Sequence, residues 1–166
     1  MSAWHEKNNF LSVKEFMETM GQECPENPTP PENNPETSNL RVKLIEEEVR
    51  ELKEALETNN FVEVVDPLAD ILYVTYGAGA AWGIDLQKAF ELVHTSNMTK
   101  MCFTEDEAKE TCQWYRDRPE KGYPSPIYEK SGFYFVVKEQ STGKVLKSIN
   151  YKPVDLKDII VTDLRS

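Results

Sequence analysis

Six carboxylates stand at helical spacing on two neighbouring stretches of the chain, and their types and spacing are the ones that could do chemistry. Glu47, Glu48 and Glu51 belong to the first stretch, residues 40–59, and Glu63, Asp66 and Asp70 to the second, residues 60–83. The second set stands at i, i+3 and i+7, so all three project from one helix face. Their neighbours are strongly apolar, which argues against a face simply bathed in water. Carboxylates gathered in a partly buried place repel one another and resist desolvation, so they need protons or a cation. Mg²⁺ and Mn²⁺ favour oxygen ligands, and Mg²⁺ commonly combines carboxylates with waters and substrate phosphates. No cluster of His and Cys offers a competing zinc site. Taken alone, Glu46, Glu47, Glu48 and Glu51 read as a solvated flank, because Glu is a good helix former. Glu63 also has a structural role open to it, closing a capping box with Asn60.

The elements that must position these groups follow from periodicity. Ser12 and Glu15 have capping-box spacing before a short helix with Val13, Phe16, Met17 and Met20 on its apolar face. Residues 24–38 hold Pro25, Pro28, Pro30, Pro31 and Pro35 and read as an extended, mobile connector. A helix opens at Leu40 with Thr37 or Ser38 as cap, and Ile45, Val49, Leu52 and Leu56 form a core-facing seam. Glu48 flanks that seam, with Glu51 and Glu47 further round. Asn59–Asn60 breaks the helix, and Asn60 caps the next. That helix is apolar over most of its circumference through Val62, Val65, Leu68, Ile71 and Leu72, which marks it as central. Pro67 predicts a kink within it. Gly77 to Ala81 permits close helix approach, and Gly83 is the stop.

Asp85 caps a fourth helix reaching about Met101, and Thr104 with Glu107 opens a fifth over 105–118. Residues 119–132 read as a loop. The runs 133–138 and 144–150 read as a β-hairpin turning through Gly143. The tail 154–164 has apolar residues without a firm assignment. The fold class is therefore mainly α, a helical bundle over 1–101 with a 102–166 extension of helix and hairpin, for which bracing the bundle is the default role.

The quoted segments also resemble a family. Glu47-Glu48 with Glu51 gives EExxE, Glu63 with Asp66 gives ExxD, and Leu72 to Gly77 (LYVTYG) and Ser96 to Lys100 (SNMTK) follow. Together they resemble the all-α nucleoside triphosphate pyrophosphohydrolases, in particular the MazG-like and phosphoribosyl-ATP pyrophosphohydrolase-like group. The resemblance implies Mg²⁺-dependent hydrolysis of an NTP or dNTP to monophosphate and pyrophosphate by a homodimer or homotetramer. It implies Glu48, Glu51, Glu63 and Asp66 as metal ligands, with Asp70 also able to fill the last acidic place, and Glu47 as the glutamate that ligates or orients water. Asn97 and Lys100 match substrate contacts, Lys100 being suited to phosphate. Arg41, Arg50 and Tyr73 are weaker candidates for substrate. His94 reads as a packed or helix-terminal histidine, and Tyr73, Tyr76 and Trp82 as core aromatics before stacking partners.

Composition narrows the alternatives. The chain has 166 residues and a formal net charge of −10, which argues against DNA or RNA as the main partner. No run approaches the roughly 18 apolar residues of a membrane span, and residues 1–9 lack a signal-peptide core, so an intracellular, cytoplasmic location is expected. Cys24, Cys102 and Cys112 are odd in number and far apart, as reduced structural cysteines would be. Two other readings stand beside nucleotide hydrolysis: phosphoribosyl-ATP as the substrate, or a non-catalytic helical module that binds a metal or partner through the acidic face.

Overall fold

The computed structural model describes residues 8–58 and 60–160. Expectations that fall on residues 1–7, on Asn59 or on 161–166 lie outside the described residues. The chain is mainly helical, in the order α1 (Asn9–Thr19), α2 (Pro35–Glu57), α3 (Phe61–Ala81), α4 (Leu86–Met98), α5 (Glu105–Arg116), β1 (Pro126–Ser131), β2 (Tyr134–Glu139) and α6 (Lys157–Ile160). It divides into two compact units. One comprises the described residues up to Phe90 and from Leu156 onward; the other is Glu91–Asp155. The division falls inside α4. Among the described residues no helix is long and apolar enough to cross a membrane.

In the first unit, α1 and α2 both pack on α3. Asn8, rather than Ser12, caps α1: its Oδ1 accepts from the Leu11 N–H at 2.9 Å. Likewise α2 starts at Pro35, ahead of the expected Leu40. Asn34 Oδ1 accepts from the Thr37 N–H at 3.0 Å, and proline at the first helical position gives up an N–H that has no partner there anyway. Asn60 caps α3 as expected, accepting from the Val62 N–H at 3.1 Å. The helix then runs unbroken through Pro67. The core lies where α1 meets the small-residue end of α3, and consists of Phe10, Val13, Met17, Ala80 and Ala81 with Tyr76, Leu86 and Cys24 beside it.

Two expectations about this unit are corrected. The seam on α2 is not core-facing throughout, since Leu56 is 61% exposed and Val49 also reaches solvent. Nor is α3 central along its length: Phe61, Val62, Val65, Leu68 and Leu72 are all exposed. A helix apolar over most of its circumference needs more cover than two neighbours supply. The proline-rich connector differs as well. It contains a 3-10 turn at Pro31–Asn33 and is tied to the end of α3, with the Thr29 N–H donating to the Trp82 carbonyl at 2.9 Å. The Trp82 indole N–H donates to the Ser38 hydroxyl at 3.3 Å. Gly83 lies beneath it with φ +66°, and a Cβ there would sit 2.3 Å from the Asn27 carbonyl oxygen.

The second unit has its own core of Cys102, Ala108, Cys112, Tyr115, Val137 and Leu146. The capping box at Thr104 forms, with the Glu107 N–H donating to Thr104 Oγ1 at 3.1 Å, while the Glu107 carboxylate accepts from the Phe103 N–H at 2.9 Å. The hairpin lies earlier than its expected place. β1 pairs antiparallel with β2, Ser131 opposite Tyr134, so the two-residue turn is Gly132-Phe133. Gly132 has the positive φ of +59° that such turns demand. The run 144–150 adds only an isolated bridge, Lys138 with Val145. The segment expected as a loop therefore supplies a strand. Cys102 and Cys112 are buried core residues, and burial pushes both thiols up, as suits inert structural cysteines.

Candidate functional site

Packing α2 along α3 brings five carboxylates into one electrostatic neighbourhood. At its centre is Glu48, whose Oε2 is buried and has no hydrogen-bond partner among the described residues. Burial pushes the Glu48 carboxyl above the ordinary glutamate range. The charges of Glu51, Asp70, Glu47 and Asp66, in that order, push it the same way. Asp70 therefore acts on Glu48 more strongly than Asp66 does. Glu63 is placed differently: its Oε1 accepts from Asn60 Nδ2 at 2.8 Å, and it is not among the charges that act most strongly on Glu48. Its side chain is engaged in the helix cap.

The donor set is all carboxylate oxygen, with one buried oxygen left without a partner, which is the chemistry a hard divalent cation takes. Among the described residues no three Asp, Glu, His or Cys side chains converge as a ready coordination shell. An open set of this kind still suits Mg²⁺, which usually keeps several waters and takes only one or two carboxylates with phosphate oxygens. The donors therefore fit such an ion in kind. Around this group, Glu47 is exposed, and Glu51 stands 3.8 Å from Arg50. Arg50 itself pairs with Glu54 at 2.7 Å on the open surface, which occupies the guanidinium without adding much stability.

Arg41 is the other unsatisfied group of this unit. It is 8% exposed, donates from Nη2 to Gln22 Oε1 at 2.8 Å, and has a buried Nε without a partner among the described residues. Burial pushes its pKa down, with Cys24 opposing. It borders a cleft of about 500 Å³ together with Gln22, Asn33, Asn34 and Thr37. Tyr73 meets Phe16 edge to face at 5.8 Å and is 42% exposed. Tyr76 packs beside the core. The indole N–H of Trp82 is used on Ser38.

Asn97 and Lys100 belong to the second unit, where Lys100 Nζ donates to Asn97 Oδ1 at 2.7 Å. The residues around them are held from a distant part of the chain. Ser96 Oγ donates to the Lys152 carbonyl at 2.8 Å, the Lys152 N–H donates to Thr99 Oγ1 at 2.9 Å, and the Ser148 N–H donates to the Lys100 carbonyl at 2.9 Å. Reading the sequence assigned no task to Ser96, Thr99 or Lys152. Their partners lie some fifty residues apart, beyond any local pattern.

A family model described as phosphoribosyl-ATP pyrophosphohydrolase matches residues 13–97, just over half of the chain. The uncharacterized protein L479 of Acanthamoeba polyphaga mimivirus is 26% identical over 243 aligned residues, covering 92% of this chain and 95% of that protein. The match of the family model spans both acidic helices and ends at Asn97.

Proposed function

The chain belongs to the phosphoribosyl-ATP pyrophosphohydrolase family, and from that premise we propose that it is a Mg²⁺-dependent pyrophosphohydrolase converting an NTP or dNTP to monophosphate and pyrophosphate. The observation that carries this reading is Glu48, a half-buried glutamate whose buried Oε2 has no partner among the described residues and which stands among four other acids. Glu48 with one of Glu51, Asp66 or Asp70 would hold the ion, waters and phosphate oxygens completing its shell, with Mn²⁺ as a substitute. Glu63 of the earlier expected set is the weakest of these ligands, because its carboxylate already serves the α3 cap. When bound, the cation would neutralise phosphoryl charge and ease deprotonation of water. Glu47, exposed beside Glu48, would orient the attacking water and accept its proton. Asn97 and Lys100, paired with each other in the second unit, would be the phosphate contacts by their chemistry, with Arg41 and Tyr73 as subsidiary substrate contacts.

A homodimer or homotetramer accompanies this reading. Phe61, Val65, Leu68 and Leu72 step by four, three and four along α3, a stripe that a second copy of the chain would cover. Each such side chain fully buried would contribute roughly 1.5–3 kcal/mol. An intracellular, cytoplasmic setting is part of the same proposal.

The test is pyrophosphate release from a panel of NTPs and dNTPs with Mg²⁺ or Mn²⁺. Turnover of at least one nucleotide, lost on chelation, is the expected result; a folded protein inert to all of them would favour a non-catalytic binding module. Phosphoribosyl-ATP belongs in the same panel, since the family description names it. Exclusive turnover of that compound would replace the general nucleotide reading.

A further inference from the structure

The second unit carries a cleft with the opposite chemistry to the acidic helices. It encloses about 540 Å³ and is lined by Trp114, Tyr123 and Tyr151 together with Lys121, Lys144 and Lys147. No Asp or Glu is among its lining residues, in a chain with 29 of them. Lys144 Nζ lies 4.8 Å from the Tyr123 ring centre and Lys147 Nζ 4.4 Å from that of Tyr151. Lys121 Nζ is 5.9 Å from the Trp114 ring centre. None of the three lysines is ion-paired with a carboxylate among the described residues. The walls are tied together by Tyr115, itself a lining residue, which meets Trp114 (4.9 Å) and Tyr123 (5.7 Å) edge to face and donates its hydroxyl proton to the Lys147 carbonyl at 3.1 Å.

We propose that this cleft of the second unit is a ligand site that takes a nucleoside phosphate. Three lysines lining one concavity without carboxylate partners among the described residues favour an anion, even with Lys144 Nζ donating to the Tyr123 hydroxyl, and lysine is a good point charge for phosphate. Aromatic walls give a planar base a surface to stack on, worth roughly 1–3 kcal/mol per base in stacking sites generally. The volume lies in the range of about 300–1,000 Å³ common to small-ligand pockets. A single concavity of this size suits one nucleotide better than a strand, which would need a groove following its backbone. The assignment is independent of the hydrolytic reading, because it uses neither the acidic helices nor a metal.

The test titrates the full chain in EDTA with AMP and with ATP, following backbone amide shifts by NMR. The expected result is saturable perturbation confined to residues 114–115, 121–123 and 144–151, with adenosine and inorganic triphosphate each binding roughly tenfold or more weakly. The double variant Lys144→Gln/Lys147→Gln should weaken AMP and ATP by about tenfold or more. Lys144→Arg/Lys147→Arg, which keeps both charges, should stay within a few-fold, separating lost charge from lost fold. The proposal is overturned by absence of shifts in these segments at millimolar nucleotide, by unchanged affinity in the Gln double variant, or by shifts confined to α2 and α3. A single-stranded octanucleotide that displaces AMP at lower concentration would also overturn it, in favour of a nucleic-acid surface.

Discussion

In the first unit, Phe61, Val62, Val65, Leu68 and Leu72 face solvent along one helix, and Glu48 and Arg41 each bury a polar atom without a partner. In the second, the buried polar side chains are satisfied from within. Glu139 accepts from the Ser125 N–H at 3.1 Å and the Ser141 hydroxyl at 3.0 Å, Thr111 Oγ1 accepts from the Ile149 N–H at 3.3 Å, and the Ser148 hydroxyl donates to Glu107. Charge divides the same way. Residues 91–155 hold ten of the 19 Lys and Arg and ten of the 29 Asp and Glu, so this unit is formally neutral and the net −10 lies in the remainder. Buried groups without partners are costly and rare in finished interiors. The contrast therefore separates a unit whose buried polar side chains find partners within it from one that, among the described residues, leaves buried polar atoms without them.

The comparison can be broken by experiment. The largest effect expected is on turnover: Glu48→Gln and Asp70→Asn should each lower metal-dependent pyrophosphate release by on the order of 10²-fold or more, with the helical circular dichroism unchanged. Wild-type turnover in both would remove the acidic group from the chemistry. Next in size, Leu68→Asp/Leu72→Asp should dissociate the assembly to monomer in analytical ultracentrifugation. Phe133→Asp, at the 94% exposed hairpin tip of the second unit, should not alter it. Of comparable weight for stability, Tyr115→Ala should cost the second core roughly 3–5 kcal/mol, as large-to-small changes of buried aromatics do. Urea unfolding followed through the aromatic signal of that unit reads this out.

The smallest effect is on pH dependence, and it has opposite signs in the two units. Glu48 is held above its ordinary value by burial and then by its acidic neighbours, so its ionisation disfavours the fold. That penalty is complete above the raised value and is relieved as pH falls through it toward the ordinary one near about 4.3. Burial also pushes Glu107 up, but bonds from the Ser148 hydroxyl, the Phe103 N–H and other donors outweigh it and leave the group below its ordinary value. Its stabilisation is present above the ordinary value and is lost as pH falls through the lowered one. Hydrogen exchange in EDTA should then show slower opening of α2 as pH falls toward about 4.3, and faster opening of α5 below it. Equal responses in both helices would erase the distinction.

What the sequence made legible was local. Asn60, Asp85 and Thr104 announced their helices because a cap needs only a side chain and an N–H two or three residues away. The acidic residues could be grouped because helical spacing fixes a face. The burial of Val49, Leu56, Leu68 and Leu72 could not be read, since periodicity shows that a face is apolar but not whether this chain or another covers it. The hairpin was misplaced because Gly132 and Gly143 both adopt positive φ, and the choice between two glycine turns rests on what packs beneath the strands. The basic cleft escaped notice for a related reason: Trp114, Tyr123, Lys144 and Tyr151 share no period, and only the packing of α5 against the hairpin unit gathers them.

Gly83 has a consequence for mutational screens. It contributes no functional group, yet its backbone carries the connector that leads into α2, with the Asn27 and Pro25 carbonyl oxygens 2.3 Å and 2.9 Å from where a Cβ would stand. Any side chain there must lift that strap and disturb the start of the helix bearing Glu47, Glu48 and Glu51. In a library scored only by activity, position 83 would therefore register as intolerant as a ligand, although its effect is mechanical. Scoring abundance beside activity would tell the two apart: substitutions at 83 would lower both together, whereas substitutions at Glu48 would lower activity alone.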